Sequence, residues 1–330
     1  MLNQGLLPHT KNPQRWQVLL SDIPHSPTHS WEYINALSQT TSAPFYLYYH
    51  IGSDFKVICP LMVRYKKGEP DVTMPYGFNG LIITGQNTSF QKDMEDFLSS
   101  LGFVCGYITY NPFFHESESL FKKICIPSVN VYSLNLTKSR EQLLLEMSKK
   151  TRYTLKQWCK RSYQIIDKKH LPINYAYQLY LETLRRVQAT SIYYFSEECF
   201  TQLVTSNYSY VIAIGHERKI SAFSMFIYNK FCAEYFINAS DQNGRIHARG
   251  FIWHAIDYFK KKQIPVLNLG GGTKNDDSLA DFKRRLGGQM IQTWKQHHIY
   301  NHHKFSKLCG SIHPKTSEYF PPYHLLQGQT

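Results

Sequence analysis

The residues best suited to do chemistry lie in one stretch, 266–286, where a short apolar strand runs into a glycine-rich loop and then a basic helix. Glycine has no side chain, so the loop backbone can approach a ligand closely. Asp277 is a preferred residue at a helix N-terminus, and the helix that it opens carries Phe282 and Lys283. A cation near such a loop could hold an anionic or carbonyl-bearing ligand, although an ordinary strand–loop–helix connector explains the same residues. The loop glycines are Gly270, Gly271 and Gly272.

The bulk composition predicts a folded, basic protein. The 330 residues carry a formal net charge of +13, which favours anionic partners such as nucleotides, coenzyme A, tRNA or an anionic membrane surface. The hydrophobic fraction of 42% is normal for a globular protein, and the length allows two domains. No apolar run reaches the roughly 20 residues that span a bilayer, and residues 1–20 lack a signal-peptide pattern.

The cysteines and histidines give no sign of a metal site. The seven cysteines are dispersed and include no Cys-x-x-Cys pair, so neither a disulfide framework nor a zinc site is predicted. The histidines at 297, 298, 302 and 303 have no carboxylate or cysteine at ligand spacing, and we expect no bound metal. These features predict a reduced, cytoplasmic protein.

The hydrophobic pattern predicts a mixed α/β fold in two parts. A meander of strands that feeds a strand–helix–strand crossover is typical of a mixed sheet. The first part has predicted helices over 31–37 and 90–101 and strands over 45–50, 55–63, 81–84, 107–110 and 129–136. The second part has one long helix from 137 or 139 to about 161, helices over 172–189 and 247–262, strands over 210–215, 220–228, 231–239 and 266–269, and one strand over 291–300.

The long predicted helix also carries a row of cations at helical spacing. Such a row could follow a phosphate backbone or a pyrophosphate, or it could be a solvated basic face, and the sequence leaves both open. The row consists of Lys149, Arg152, Lys156 and Lys160.

Four segments, in order, resemble the Fem family of nonribosomal peptidyl and aminoacyl transferases, which belongs to the GNAT-like acyltransferase superfamily. The resemblance covers about residues 28–300. The segments are Pro-Tyr-Gly-Phe at 75–78, Ser-Lys-Lys-Thr-Arg-Tyr-Thr-Leu-Lys at 148–156, Ala-Thr-Ser-Ile-Tyr-Tyr-Phe-Ser-Glu-Glu-Cys-Phe at 189–200, and Leu-Gly-Gly-Gly at 269–272 with Asp-Ser-Leu-x-x-Phe-Lys at 277–283.

This resemblance implies two tandem GNAT-like domains with a cleft between them for the acceptor. In the family the C-terminal tail returns to the first domain. Residues 1–128 and 288–330 would then form the first, acceptor-side domain, and residues 129–287 would form the second. No long charged heptad insert is present, so the coiled-coil arm of some members is not expected.

The resemblance also implies acyl transfer to an amine. Lys283 would stabilise the oxyanion that forms when the amine attacks an ester or thioester, and Phe282 would pack against the donor or exclude water. The favoured reading is an N-acyltransferase that uses acyl-CoA and an amino sugar or another cell-envelope glycan precursor. The alternatives are an aminoacyl-tRNA-dependent enzyme of peptidoglycan synthesis, a non-catalytic tRNA- or nucleotide-binding protein, and a structural partner in polysaccharide assembly.

The donor site is expected at a helix N-terminus, where free N–H groups favour anions. Many GNAT enzymes bind the pyrophosphate of CoA with Arg/Gln-x-x-Gly-x-Gly/Ala, and 245–250 is a degenerate match to it. No tightly bound cofactor is expected, only acyl-CoA or aminoacyl-tRNA as co-substrate. The expected acceptor is a nucleotide- or lipid-linked amino sugar or a muropeptide, with contact to the inner membrane surface. The matched residues are Arg245, Ala248, Arg249 and Gly250.

Six further residues are candidates for substrate binding. Each has an alternative structural role: the tyrosines could be aromatic core, Asp277 could only cap its helix, and Glu234 could be a buried, satisfied carboxylate instead of the base or water site of GNAT folds. The six are Tyr76, Tyr110, Arg152, Tyr194, Glu234 and Asp277.

Overall fold

The fold is mixed α/β, as the sequence predicts. The computed structural model describes residues 3–85, 89–115, 125–216, 219–272, 276–310 and 319–327. The strands in these ranges are β1 (Asn3–Pro8), β2 (Phe45–Ile51), β3 (Phe55–Lys66), β4 (Glu69–Thr73), β5 (Leu81–Gly85), β6 (Cys105–His115), β7 (Ile126–Pro127), β8 (Val131–Asn135), β9 (Ile165–Asp167), β10 (Ser209–His216), β11 (Lys219–Tyr228), β12 (Ala233–Ser240), β13 (Val266–Gly271), β14 (Gln289–Ile291) and β15 (Trp294–Ile299).

The helices lie between the strands and cover the sheets. Among those of the described ranges, none combines the length and the apolar character that a bilayer-crossing segment requires. The α-helices are α1 (Pro13–Leu20), α2 (Trp31–Ser38), α3 (Phe90–Ser100), α4 (Arg140–Glu146), α5 (Lys149–Cys159), α6 (Ile173–Arg186), α7 (Glu197–Thr205), α8 (Ala248–Lys261), α9 (Ser278–Arg285) and α10 (His302–Cys309).

The strands form two sheets that repeat one chain order. The first sheet has the order β1-β2-β3-β4-β6-β15-β7, with β5 paired to β3 and β6, and the second has the order β14-β8-β13-β12-β11-β10-β9. In each sheet an edge strand leads through two helices into an antiparallel meander, and a crossover helix then leads to a parallel strand. These units are β1 to β6 and β9 to β13. The repeated order is that of two GNAT-like units in tandem.

The two sheets share one apolar core cluster. Because side chains of both halves enter this cluster, the domain boundaries at 128/129 and 287/288 remain a prediction. Members from the first half include Trp16, Tyr33, Ile34 and Leu47, and members from the second half include Phe200, Phe223, Met225 and Ile237.

The predicted long helix from 137–139 to 161 is wrong, because the chain forms α4 and α5 with a break between them. Met147 and Ser148 have extended backbones, with ψ of 149° and 150°. The Ser148 side chain accepts a hydrogen bond from the Thr151 N–H, and the Arg152 guanidinium donates to the Met147 carbonyl at 2.6 Å. Serine is a favoured N-cap residue, so Ser148 starts a new helix where the apolar spacing alone predicted continuity.

We expect Ser148→Ala to lower the free energy of unfolding by about 1 kcal/mol, because α5 loses its N-cap acceptor. The measurement is urea unfolding followed by circular dichroism. Ser162→Ala is the control, since this exposed serine follows α5 and caps no helix. Equal stability of the two variants would show that the break between α4 and α5 does not depend on the cap.

The strand predicted over 291–300 is confirmed at 294–299, but its start is wrong. Residues 289–291 form β14 in the second sheet, and residues 294–299 form β15 in the first. Between them, Gln292 donates to the Ser128 carbonyl and Thr293 donates to the Val129 carbonyl. The chain therefore passes from one sheet to the other at two residues whose sequence carries no turn signal.

Candidate active site

Lys283 lies buried on α9 and points at the glycine loop. Its side chain is only 5% exposed, and its Nζ donates to the Gly271 carbonyl at 2.6 Å. Burial lowers the pKa of Lys283 to about 8, while the Asp277 carboxylate acts in the opposite direction. The ammonium group has three N–H donors, so the bond to Gly271 leaves donors for another acceptor. The alternative that Lys283 is an ordinary surface lysine does not fit this burial.

Gly270 lies beside the Lys283 ammonium group of the second half and the Phe78 ring of the first half. Its φ of +74° is a backbone conformation that favours glycine. A β-carbon at this position would lie 3.3 Å from the Lys283 Nζ and 3.4 Å from the Phe78 ring. Phe78 belongs to the Pro-Tyr-Gly-Phe loop of the first half, so the two segments with family resemblance meet here. Gly271 ends β13 and Gly272 follows it, and both are half-buried.

Strands β12 and β13 open next to this loop. They are parallel but pair at only two positions, Ala233 with Leu267 and Glu234 with Asn268, both at the start of the strands. Beyond these pairs β13 no longer pairs with β12. It continues beside β8, with a bulge between Asn268 and Gly270. Ligands of open α/β sheets bind at the carboxyl ends of parallel strands, where such openings lie.

Glu234 is a buried carboxyl group beside this opening. Its side chain is 1% exposed, and burial raises its pKa to about 8. The hydroxyls of Ser26 and Thr28 lie close enough to lower that pKa in part. Neither carboxyl oxygen, however, makes a hydrogen bond of normal geometry with the described residues. The alternative of a satisfied structural carboxylate therefore does not fit.

Other buried polar atoms, on β13 and in the first half of the chain, also lack hydrogen-bond partners among the described residues. They are the Thr28 hydroxyl, the Asn79 side-chain carbonyl and the Asn268 side-chain nitrogen. Asn268 lies level with Glu234 on the neighbouring strand, and its Oδ1 accepts from the Gly270 N–H at 2.8 Å. Because an unpaired buried polar group costs free energy, these atoms are candidates to bind the polar groups of a ligand.

The first half holds its loop against this cluster through a hydrogen-bond network. Asn111 donates to the Ser26 hydroxyl and to the Phe78 carbonyl, both at 2.8 Å. Tyr33 donates to the Tyr76 carbonyl at 2.7 Å. The Tyr76 ring packs edge-on against Phe236, two residues beyond Glu234 on β12. The site is thus built from both halves of the chain.

We expect Glu234→Gln to stabilise the protein more at about pH 8 than at about pH 5. The folded state keeps the Glu234 proton up to a pKa of about 8, whereas the unfolded state releases it near the ordinary glutamate pKa of 4.5. The free energy of unfolding therefore falls as pH rises through this window, and glutamine removes that fall. Thermal melts at both pH values test this, with Glu198→Gln on the exposed side of α7 as control. An unchanged pH dependence in Glu234→Gln would contradict the shift.

Phe282, which precedes Lys283 on α9, is in contact with Arg249 of α8. The Arg249 guanidinium lies over the Phe282 ring at 5.2 Å, which joins the first turn of α8 to α9. Ala248 is the half-buried first residue of α8, and Arg245 is exposed in the preceding 3₁₀ turn. Gly250 is buried, and a β-carbon there would lie 2.2 Å from the Trp158 indole. Packing against Trp158 therefore accounts for this glycine without a ligand.

Three of the residues predicted to bind substrate make hydrogen bonds within the fold, namely Tyr110, Arg152 and Asp277. The Tyr110 hydroxyl donates to Gln296 within the apolar cluster of the first sheet. Arg152 binds the last carbonyls of α4. Tyr194 is half-buried, but the ring contacts to Tyr76 come from Tyr193 and Phe195. Asp277 accepts from the Ala280 N–H as a helix cap, and it also acts on Lys283.

Sequence reasoning missed several residues of the site, mostly small polar ones. Their individual types carry no functional signal, although Asn268 precedes the glycine loop by two positions. Within the described ranges, no three His, Cys, Asp or Glu side chains are grouped as metal ligands. The missed residues are Ser26, Thr28, Phe78, Asn79, Asn111 and Asn268.

Comparison with solved structures identifies the fold. FemX matches with a TM-score of 0.61 and 11% identity, over 92% of this chain and 99% of that chain. L-PGS from Bacillus licheniformis matches with a TM-score of 0.55 and 14% identity, over 88% and 92%. The C-terminal domain of a protein described as a lysylphosphatidylglycerol synthetase, from Agrobacterium fabrum, matches with a TM-score of 0.56 and 11% identity, over 89% and 94%.

The chain therefore has the fold of FemX and of the lysylphosphatidylglycerol synthetase domain, in agreement with the Fem and GNAT-like fold predicted from the sequence. No protein-family model and no curated protein sequence matches the chain. At these identities the similarity defines the fold, and the activity has to be argued from the site.

Proposed function

We propose that this chain is an N-acyltransferase of the GNAT and Fem kind. It transfers an acyl group from acyl-CoA to the amine of an amino sugar or another cell-envelope glycan precursor. The observation that carries the proposal is the buried Lys283 ammonium, held against the glycine loop beside the opening of β12 and β13. We further propose that residues 1–128 and 288–330 form the acceptor side and residues 129–287 form the donor side.

In this proposal Lys283 stabilises the transition state. The acceptor nitrogen attacks the thioester carbonyl, a C–N bond forms, and negative charge develops on the carbonyl oxygen. The Lys283 N–H groups not bound to Gly271 donate to that oxygen. The bond between the carbonyl carbon and sulfur then breaks, and the thiolate leaves and takes a proton. A buried cation is effective here because the surrounding dielectric constant is low.

Glu234 is the base in the same scheme. The attacking amine must lose a proton as the C–N bond forms, and a carboxylate with a pKa of about 8 is matched to that task near neutral pH. The orphaned side chains of Thr28, Asn79 and Asn268 would bind the polar groups of the substrates. Phe282 would keep water from the acyl carbon. Its ring lies against the Arg249 guanidinium, and it precedes Lys283 in the chain.

The second candidate uses aminoacyl-tRNA as donor and a peptidoglycan precursor or a lipid-linked amine as acceptor. It has two supports, the similarity to FemX and L-PGS and the net charge of +13. The same residues would act, with an ester in place of the thioester. Both donors are cytoplasmic, so we propose a cytoplasmic enzyme that meets lipid-linked acceptors at the inner membrane surface.

A transfer assay with both donors tests the proposal. Labelled acetyl-CoA or a mixture of labelled aminoacyl-tRNAs is incubated with nucleotide-linked amino sugars or muropeptides, and amide products are identified by mass spectrometry. Amide formation from acetyl-CoA supports the first candidate, and formation from aminoacyl-tRNA supports the second. If neither donor gives a product, and surface glycans of a deletion strain are unchanged, the enzymatic proposal is wrong.

A further inference from the structure

A surface groove of about 480 Å³ lies between the end of α5, the adjacent chain at 161–165 and the outer face of α8. Its volume is within the range of small-molecule sites in proteins. None of the residues with a sequence-predicted role lines it. We propose that this groove binds a nucleotide, as the nucleotide-bearing end of a substrate.

Aromatic rings form the walls of the groove. The Trp158 and Tyr163 rings are stacked at 5.3 Å with an angle of 29° between their planes. Trp253 lies on the α8 side but is only 4% exposed, with the Arg140 guanidinium over its ring at 4.8 Å. Because Trp158 is covered by Tyr163 and Gly250, stacking of a base falls to the half-buried Tyr163 ring. Nucleobases stack on such side chains, and an arginine over a ring adds cation–π attraction.

The charge of the groove favours a phosphate. Arg140 and Arg161 both line it, and Asp257 is its one carboxylate among the described lining residues. Asp257 is paired with Arg140 at 3.3 Å, which leaves the exposed Arg161 without an ion-pair partner in the described ranges. A guanidinium is a strong donor to phosphate oxygens. The groove thus offers a stacking surface and a free cation side by side.

The groove is connected through Trp158 to the first turn of α8, which carries Arg249. Trp158 packs against Gly250 on one side and donates from its indole nitrogen to His247 at 3.1 Å. Gly250 is next to Arg249, which covers Phe282. A substrate long enough to pass the first turn of α8 would reach from the groove towards Lys283. This link rests on the proposed function, whereas nucleotide binding in the groove does not.

A fluorescence titration with ADP tests the binding. Two of the five tryptophans line the groove, so ADP is expected to quench the intrinsic emission. Arg161→Glu is expected to weaken binding at least about tenfold, because it replaces the free cation with a repelling charge. Lys150→Glu is the matched control, since this exposed lysine of α5 undergoes the same charge change outside the groove. Lys283→Met should bind ADP as the native chain does.

Absence of quenching up to about millimolar ADP overturns the proposal, as does equal weakening by Arg161→Glu and Lys150→Glu. Competition then identifies the source of the nucleotide, using CoA, a uridine-diphosphate sugar or an RNA oligonucleotide ending in CCA. Displacement of ADP by any of these supports a substrate role, and displacement by none of them overturns it. ADP binding in a chain without transfer activity would contradict the proposed function and leave the groove supported.

Discussion

Replacing Lys283 with methionine is expected to lower kcat by about 10²- to 10³-fold with little change in KM. Methionine keeps most of the volume of the buried side chain but has no N–H to donate to the oxyanion, and the loss of one such donor has an effect of this size. An interaction made only in the transition state changes kcat and kcat/KM together. Steady-state kinetics with the donor that the transfer assay identifies gives both constants.

Arg284→Met is the control for this prediction. Arg284 follows Lys283 on α9 but is exposed and pairs with Asp276, so its loss should leave kcat within about twofold of the native value. Circular dichroism and thermal melts establish that both variants fold. A folded Lys283→Met variant with native kcat/KM would exclude the oxyanion role, and with it the proposed mechanism.

Glu234→Gln is expected to remove the acidic limb of the pH–rate profile and to lower kcat/KM by about 10²-fold or more. The Glu234 base must be deprotonated, so activity should rise as pH increases towards its pKa of about 8. Lys283 must be protonated, so activity should fall as pH increases beyond its pKa of about 8. The native profile is therefore a narrow bell with a maximum near pH 8, and the measurement is kcat/KM across pH.

The two variants serve as controls for each other. Lys283→Met should keep the rising limb and lose the falling one, while Glu234→Gln should do the reverse. Glutamine has nearly the same shape as glutamate, so a loss of activity through packing would lower the whole profile without changing its form. A bell that persists in Glu234→Gln would assign the acidic limb to another group, for example the amine of the acceptor.

The sequence predicts the local structure of the 266–286 segment, because the signals in that segment are local. A strand that enters three glycines and is followed by a helix cap predicts the local geometry around Gly270 and Asp277. The burial of Lys283, in contrast, could not be predicted from local signals. Its helix ends in three consecutive cations, Lys283, Arg284 and Arg285, and spacing alone does not tell which of them turns inward. In the structure Lys283 is the one that turns inward. Its Nζ donates to the Gly271 carbonyl, and both its Nζ and the Phe78 ring lie next to Gly270.

The remaining residues of the site depend on contacts between distant parts of the chain. Asn111 contacts Ser26 across 85 positions, and Glu234 lies near Thr28 only because the halves pack together. No periodicity encodes such contacts. The same limitation explains why the strand predicted over 291–300 begins too early, since Ile291 pairs in the second sheet and β15 pairs in the first.

The apolar cluster that both sheets enter has a consequence for how this protein can change during evolution. Neither half could be exchanged for its counterpart in a relative by recombination at residue 128, because Tyr33 and Phe236 would meet foreign surfaces. Such a chimera would expose hydrophobic area and aggregate. Under the proposed function, new acceptor preferences would therefore arise by point substitutions in loops such as 74–80, and not by shuffling of whole modules.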